Sequence, residues 1–123
     1  MRPETMLLRQ AHPQFCSNGE ITSQMFFPFP KDKGNLSTYD GDRMTPAESF
    51  KHYTELGFLS VGVWGIQCAQ VNETGLTSRA DPVAGNPAHA VIEFGARMEK
   101  ECRKLAKKLK AFALINGCQY PPE

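Results

Sequence analysis

SVGVWGIQCAQV, residues Ser60 to Val71, is the stretch on which the fold turns. Val61, Val63, Ile66, Cys68 and Val71 favour extended structure, Trp64 sits among them, and no charge interrupts the run. A strand wet on one face alternates apolar and polar residues, whereas near-continuous apolarity predicts a central strand buried on both faces. Gly62 and Gly65 flank Val63-Trp64 and mark a bulge or a place where another group packs close to the backbone.

Downstream of that strand, Asn72 to Pro87 reads as one long irregular segment rich in Gly, Pro, Asn and Asp, a loop that covers a surface and offers a contact site for a partner. His89 to Gly95 gives the next strand, with His89, Val91, Glu93 and Gly95 on one side and Ala90, Ile92 and Phe94 on the other. A long helix follows from about Ala96 to Asn116, stopped by Gly117. Its apolar stripe is Met98, Cys102, Leu105, Leu109 and Phe112. The opposite face, Lys100, Arg103, Lys104, Lys107, Lys108 and Lys110, is basic. Glu99 and Glu101 begin the helix where the macrodipole favours acids, which marks the lysines as an ordinary solvated face. That face lacks the aromatic residues on which single strands stack, so nucleic acid is not the expected partner. Gln119 to Glu123 reads as an extended end.

Upstream, Thr45-Pro46-Ala47-Glu48 combines a capping Thr, a first-turn Pro and a capping-box Glu, predicting a helix from Pro46 to about Leu56 that is ended by Gly57. Phe50, Tyr53 and Leu56 would face the core and His52 the solvent. Gly19 to Gly41, GEITSQMFFPFPKDKGNLSTYDG, is the densest stretch. Ile21 to Phe27 is β-prone with partial alternation. Pro28 and Pro30 stop regular pairing, Lys31 to Asn35 is a polar turn, and Leu36 to Tyr39 is a short strand. Met6 to Gln10 is a short buried strand carrying one charge, Arg9, and ending before His12-Pro13.

These elements give an α+β fold in a single small domain over residues 1–123, a mixed or antiparallel sheet of four to five strands packed with two helices. At 123 residues the chain buries roughly two thirds of its unfolded surface, enough for one core. A hydrophobic content of 41% with 22% charged residues is that of a globular protein. The formal net charge of +1 gives no whole-molecule drive toward nucleic acid. No apolar run reaches the roughly 20 residues that span a bilayer, and the N-terminus lacks a secretory pattern, so the expectation is a cytoplasmic protein with no membrane contact. Cys16, Cys68, Cys102 and Cys118 stand at wide spacings that suit neither zinc nor a thioredoxin-type pair, and free thiols are expected. No metal site is predicted.

Arg9 is the first candidate for chemistry. An unpaired charge is costly to take out of water, so Arg9 is a guanidinium aimed at a ligand, half of a structural ion pair with a glutamate, or an exposed edge residue. His12 is likewise a capped loop histidine or a ligand-binding one.

Arg9 on an early strand, Gly19-x-x-Thr22-Ser23 with Phe26 and Pro28, Leu36-Ser37-Thr38-Tyr39, a helix bearing Glu48 and the strand SVGVWGI together resemble the layout of RES-type toxins. These are small bacterial proteins of the ADP-ribosyltransferase-like fold that act on NAD. The chain departs from them in having no Arg within GEITSQMFFP. The resemblance implies NAD as substrate and a role in a toxin-antitoxin or other conflict system. A dinucleotide site needs an Arg or backbone amides for pyrophosphate, an aromatic surface for a base, and a carboxylate beside a ribosyl cation. Arg9, Tyr39 and Glu48 or Glu93 would then be catalytic, with His12, Ser23, Phe26 and Ser37 binding the ligand. The alternative is a noncatalytic immunity or adaptor protein that binds a protein partner through residues 72–87 and the basic C-terminal helix.

Overall fold

The structure, a computed structural model, describes residues 1–29 and 33–121. Its centre is strand β1, Met6–Gln10. Strand β2 (Cys16–Ser17) and strand β3 (Glu20–Ile21) form a small hairpin. Then come β4 (Asn35–Asp40), helix α1 (Pro46–Glu55), β5 (Val63–Gln67) and helix α2 (Cys68–Glu73). The chain closes with β6 (Thr77–Ala80), β7 (His89–Glu93), helix α3 (Glu99–Asn116) and β8 (Cys118–Tyr120). Six strands make one sheet in the order β6-β7-β4-β1-β5-β8, every neighbouring pair antiparallel. The α+β class and the antiparallel sheet are as the sequence predicts. The sheet has six strands rather than four to five, and there is a third helix.

β1 shows why contiguous apolar residues mark a central strand. Leu7 points into a large core with Leu36, Ile66, Ile92 and Phe94, against Leu105, Leu109 and Ala113 of α3. Leu8 points the other way, into a smaller cluster with Tyr39 and Val63, against Met6, Met44, Phe50 and Tyr53. Both leucines are about 1% exposed. β7 divides its faces as expected, Ala90, Ile92 and Phe94 all entering the large core.

Ser60 to Val71 is not one strand. Extended pairing covers only Val63–Gln67, and Gln67 then caps α2, its backbone N–H donating to Gln70 Oε1 at 2.9 Å. Cys68 and Val71, three residues apart, are both buried, a helical spacing that a short apolar run does not distinguish from a strand. Ile21 to Phe27 departs in the same way. The strand stops at Ile21, and Ser23–Phe26 is a 3₁₀ turn. Met25 and Phe26 are adjacent and both buried, which one face of a strand cannot achieve and a turn packed on α3 can.

The cap at Thr45 forms in full, Glu48 accepting from the Thr45 backbone N–H at 2.9 Å and Thr45 Oγ1 from the Glu48 N–H at 3.1 Å. Phe50 and Tyr53 pack on the small cluster, but Leu56 is the C-cap and is 61% exposed, so it adds nothing to the core. Residues 72–87 are not irregular throughout, since they hold the end of α2, the edge strand β6 and a bridge between Val83 and Asn86. α3 begins at Glu99, and Met98, its N-cap, lies outside the apolar stripe. Gly117 ends α3 at φ +81°, a conformation glycine adopts without strain. The predicted extended tail is in part a paired edge strand, β8, while residues 122–123 lie outside the described residues, as do Lys31 and Asp32 of the predicted polar turn. All four cysteines are free thiols. Among the described residues no helix is long and apolar enough to cross a membrane.

Candidate functional site

On the face of the sheet that carries α1, a cleft of about 390 Å³ opens beside β4. Its aromatic and apolar walls come from Phe15, Tyr39, Tyr53, Leu56 and Phe58, and its polar groups include Arg9, Ser37, His52 and His89. Antiparallel register builds the floor. Tyr39 stands opposite His89 and Ser37 opposite Val91, so alternate residues of β4 and β7 share this face.

Arg9 enters through an opening in the sheet. β1 and β4 pair only at Leu7–Asp40 and Leu8–Tyr39, and past that point Arg9 bridges the divergence. Its Nη1 donates to the Ser37 carbonyl at 2.9 Å and its Nε to the Met25 carbonyl. The guanidinium carbon lies 6.0 Å from the Phe15 ring centroid, within cation–π reach. These bonds tie β1, β4 and the 3₁₀ turn together and put positive charge in the cleft wall.

Both histidines are held in defined tautomers by backbone carbonyls of the segment after β6. His52 Nε2 lies 3.0 Å from the Gly85 carbonyl, which can only accept, so Nε2 carries the proton and Nδ1 accepts from the Tyr39 hydroxyl at 2.9 Å. His89 Nδ1 lies 2.9 Å from the Asp81 carbonyl and 3.2 Å from Asp81 Oδ2, both acceptors. The proton is therefore on Nδ1, and the Nε2 lone pair faces Ser37 Oγ at 3.2 Å. Burial, reinforced by Tyr53, pushes the Tyr39 phenol up to about 12, so it stays a neutral donor. Burial also raises Tyr53, against the lowering effect of Arg9.

Of the residues expected at a site, Arg9, Ser37 and Tyr39 meet in the cleft and the others do not. Phe26 is 1% exposed in the large core on the opposite face, and Ser23 opens the 3₁₀ turn. Glu48 is the capping-box carboxylate, held below its usual range by the Thr45 backbone and side chain. Glu93 accepts from Arg79 Nε at 3.1 Å on β6. Neither glutamate belongs to the cleft, and among the described residues no carboxylate lines it. His12 caps its own 3₁₀ turn, its Nδ1 accepting from the Gln14 backbone N–H at 3.1 Å.

The chain matches no protein-family model, and neither a curated protein nor a solved structure gives a significant match.

The residues that sequence reasoning passed over are His52, His89 and Asp81. Placing His89 on the polar side of its strand was the available signal. Its meeting with Ser37 depends on the pairing of β4 with β7 across some fifty intervening residues, as the separation of 52 shows. Among the described residues no group of three or more His, Cys, Asp or Glu side chains could hold a metal ion. The basic row of α3 lies on the other side of the sheet from the cleft.

Proposed function

We propose that the cleft binds a small planar molecule carrying an anionic or carbonyl-rich group. The observation that carries this reading is the convergence of Arg9 with Phe15, Tyr39 and Tyr53 in a cavity of about 390 Å³, within the size range of small-molecule sites. Aromatic walls favour a flat apolar body, and Arg9 sets a guanidinium among the described lining residues. Two imidazoles fixed by backbone carbonyls make the polar lining preorganised, which reduces the ordering cost of binding.

One mononucleotide half of NAD belongs to this ligand class, and the resemblance to RES-type proteins makes NAD a dinucleotide worth testing. Cleavage of its glycosidic bond calls for a carboxylate at the ribosyl centre. With Glu48 and Glu93 engaged elsewhere, the reading is of binding without nicotinamide release. The experiment is a thermal-shift titration with AMP, nicotinamide mononucleotide, NAD and a hydroxylated aromatic carboxylate. A ligand at about 100 times its Kd raises the melting temperature by roughly 10 °C for a chain of this length, and Arg9→Ala and Tyr53→Ala reduce that shift. No response to any member of the panel at millimolar concentration removes the proposal.

A further inference from the structure

We infer that Ser37, His89 and Asp81 form a nucleophilic relay that transfers the acyl group of a carboxylic ester held in the cleft first to Ser37 and then to water. The inference rests on the reading of the cleft as a ligand site and names the reaction performed there. Three observations support it. Ser37 Oγ is exposed to the cleft and lies 3.2 Å from His89 Nε2. The proton of that imidazole is fixed on Nδ1 by two acceptors of Asp81, at 2.9 and 3.2 Å, which leaves a basic lone pair on the atom that faces the hydroxyl. Asp81 is itself held, its Oδ1 accepting from Arg79 Nη1 at 3.1 Å while Arg79 Nε donates to Glu93 at 3.1 Å. A nucleophile, a base and a group that orients the base are what acyl transfer through a serine requires, and the arrangement is recognised by geometry on any fold.

The steps balance within the site. Ser37 Oγ bonds to the ester carbonyl carbon as its proton passes to His89 Nε2, giving a tetrahedral oxyanion beside the positive wall formed by Arg9. The bond to the leaving oxygen breaks, and the proton on His89 goes to that oxygen, releasing an alcohol or phenol and leaving an ester on Ser37. Water then attacks this ester with His89 Nε2 taking its proton, the carboxylic acid departs, and the serine hydroxyl is restored. Phe15, Tyr39 and Tyr53 offer the aromatic surface that an aryl leaving group or aryl acyl group would occupy, so aryl esters are the substrate class.

The test uses a fluorophosphonate, which labels serines activated in this way, and p-nitrophenyl acetate as the ester. Expected is one label per chain, found on Ser37 within the tryptic peptide Gly34 to Arg43 and suppressed by an aromatic ligand that fills the cleft. Ser37→Ala, which changes an exposed side chain, abolishes labelling, and His89→Gln slows it by on the order of 10²-fold, with melting curves unchanged in both. Asp81 acts through His89 and is a positioning residue. Asp81→Asn keeps the backbone carbonyl bond but removes the carboxylate, so labelling of Ser37 slows with the melting curve unchanged, and Asp81→Glu, which restores a carboxylate, recovers part of the rate. No labelling of a protein that still binds its aromatic ligand overturns the acyl-transfer inference alone. Absence of both labelling and ligand binding removes the cleft reading with it, and a label on any other residue also overturns the inference.

Discussion

Arg9→Ala tests how the cleft is held open. In the wild type the guanidinium donates to the carbonyls of Met25 and Ser37 and lies over Phe15. A hydrogen bond from a charged donor contributes about 1.5–3 kcal/mol when buried. Arg9 is half-buried, so water reaches the released carbonyls in part and the lower end applies. Two such bonds amount to about 3 kcal/mol, and the cation–π contact, at the limit of its range, adds little. For 123 residues the unfolding entropy of roughly 2.1 cal/mol/K per residue converts this to a melting temperature lower by about 12 °C. Arg9→Lys keeps the charge but cannot fork between two carbonyls, so it falls between the wild type and Arg9→Ala. Thermal melts by circular dichroism, with urea titrations to confirm the free energies, provide the measurement. A melting temperature for Arg9→Ala within about 3 °C of the wild type would refute the reasoning, showing a guanidinium that serves the ligand without bracing the sheet.

Other substitutions and conditions have equally definite outcomes. A Cβ on Gly41 would stand 2.5 Å from the carbonyl oxygen of Met6, to which the Gly41 N–H donates at 2.8 Å. Both contacts are backbone, so Gly41→Ala should cost more than about 2 kcal/mol in urea denaturation. Leu109 is 0% exposed in the large core, and Leu109→Ala should cost about 3–4 kcal/mol by the same assay. Tyr39 ionises near 12 in the folded chain, against 10 for an unperturbed phenol. Its folded pKa is raised, so its contribution to stability is complete below pH 10 and is lost as pH rises through about 12. Alkaline difference absorbance should show the latest-titrating phenol disappear in Tyr39→Phe.

Legibility in the sequence followed the range of the interaction involved. The α1 boundaries were written locally, because the cap, the first-turn proline and the terminating glycine all act within a few residues. β1 and β7 were also legible, since burial on two faces or one leaves a distinct pattern in a handful of residues. Short apolar runs failed for the reason that period alone cannot assign them: Cys68 to Val71 suits a strand or a helical turn until Gln67 is seen to cap it. β6 and β8 are edge strands of three or four residues, and what makes them strands is a partner far along the chain rather than their own composition. The cleft was legible only at Arg9, Ser37 and Tyr39. Glu48 carried a cap signal as strong as any functional one, and the cap is the role it fills.

The position of the cleft follows from unequal cover on the two faces. Six strands spaced about 4.8 Å apart make a sheet roughly 24 Å wide, whereas a helix with its side chains is about 10 Å across. One face is covered by α3 with its 18 residues, by α2 and by the 3₁₀ turn, and the large core fills it. Among the described residues the other face has only α1, 10 residues long, which packs on β1, β5 and β8. Among the described residues no helix packs closely over β7 and β6 on that side, and α1 reaches β4 only at Tyr39, so beside Tyr39 and Val91 this face carries the polar Ser37, His89, Glu93 and Arg79. The segment from Asp81 to Ala88, folded back from the sheet edge, walls this strip and supplies the carbonyls that orient His52 and His89. Substitutions on the two sides of the same strand should therefore separate. Leu36→Ala, facing the large core, should cost about 2–4 kcal/mol, whereas Ser37→Ala, its neighbour on the cleft side, should alter stability by less than about 0.5 kcal/mol and be felt only where a ligand is bound or an ester is cleaved.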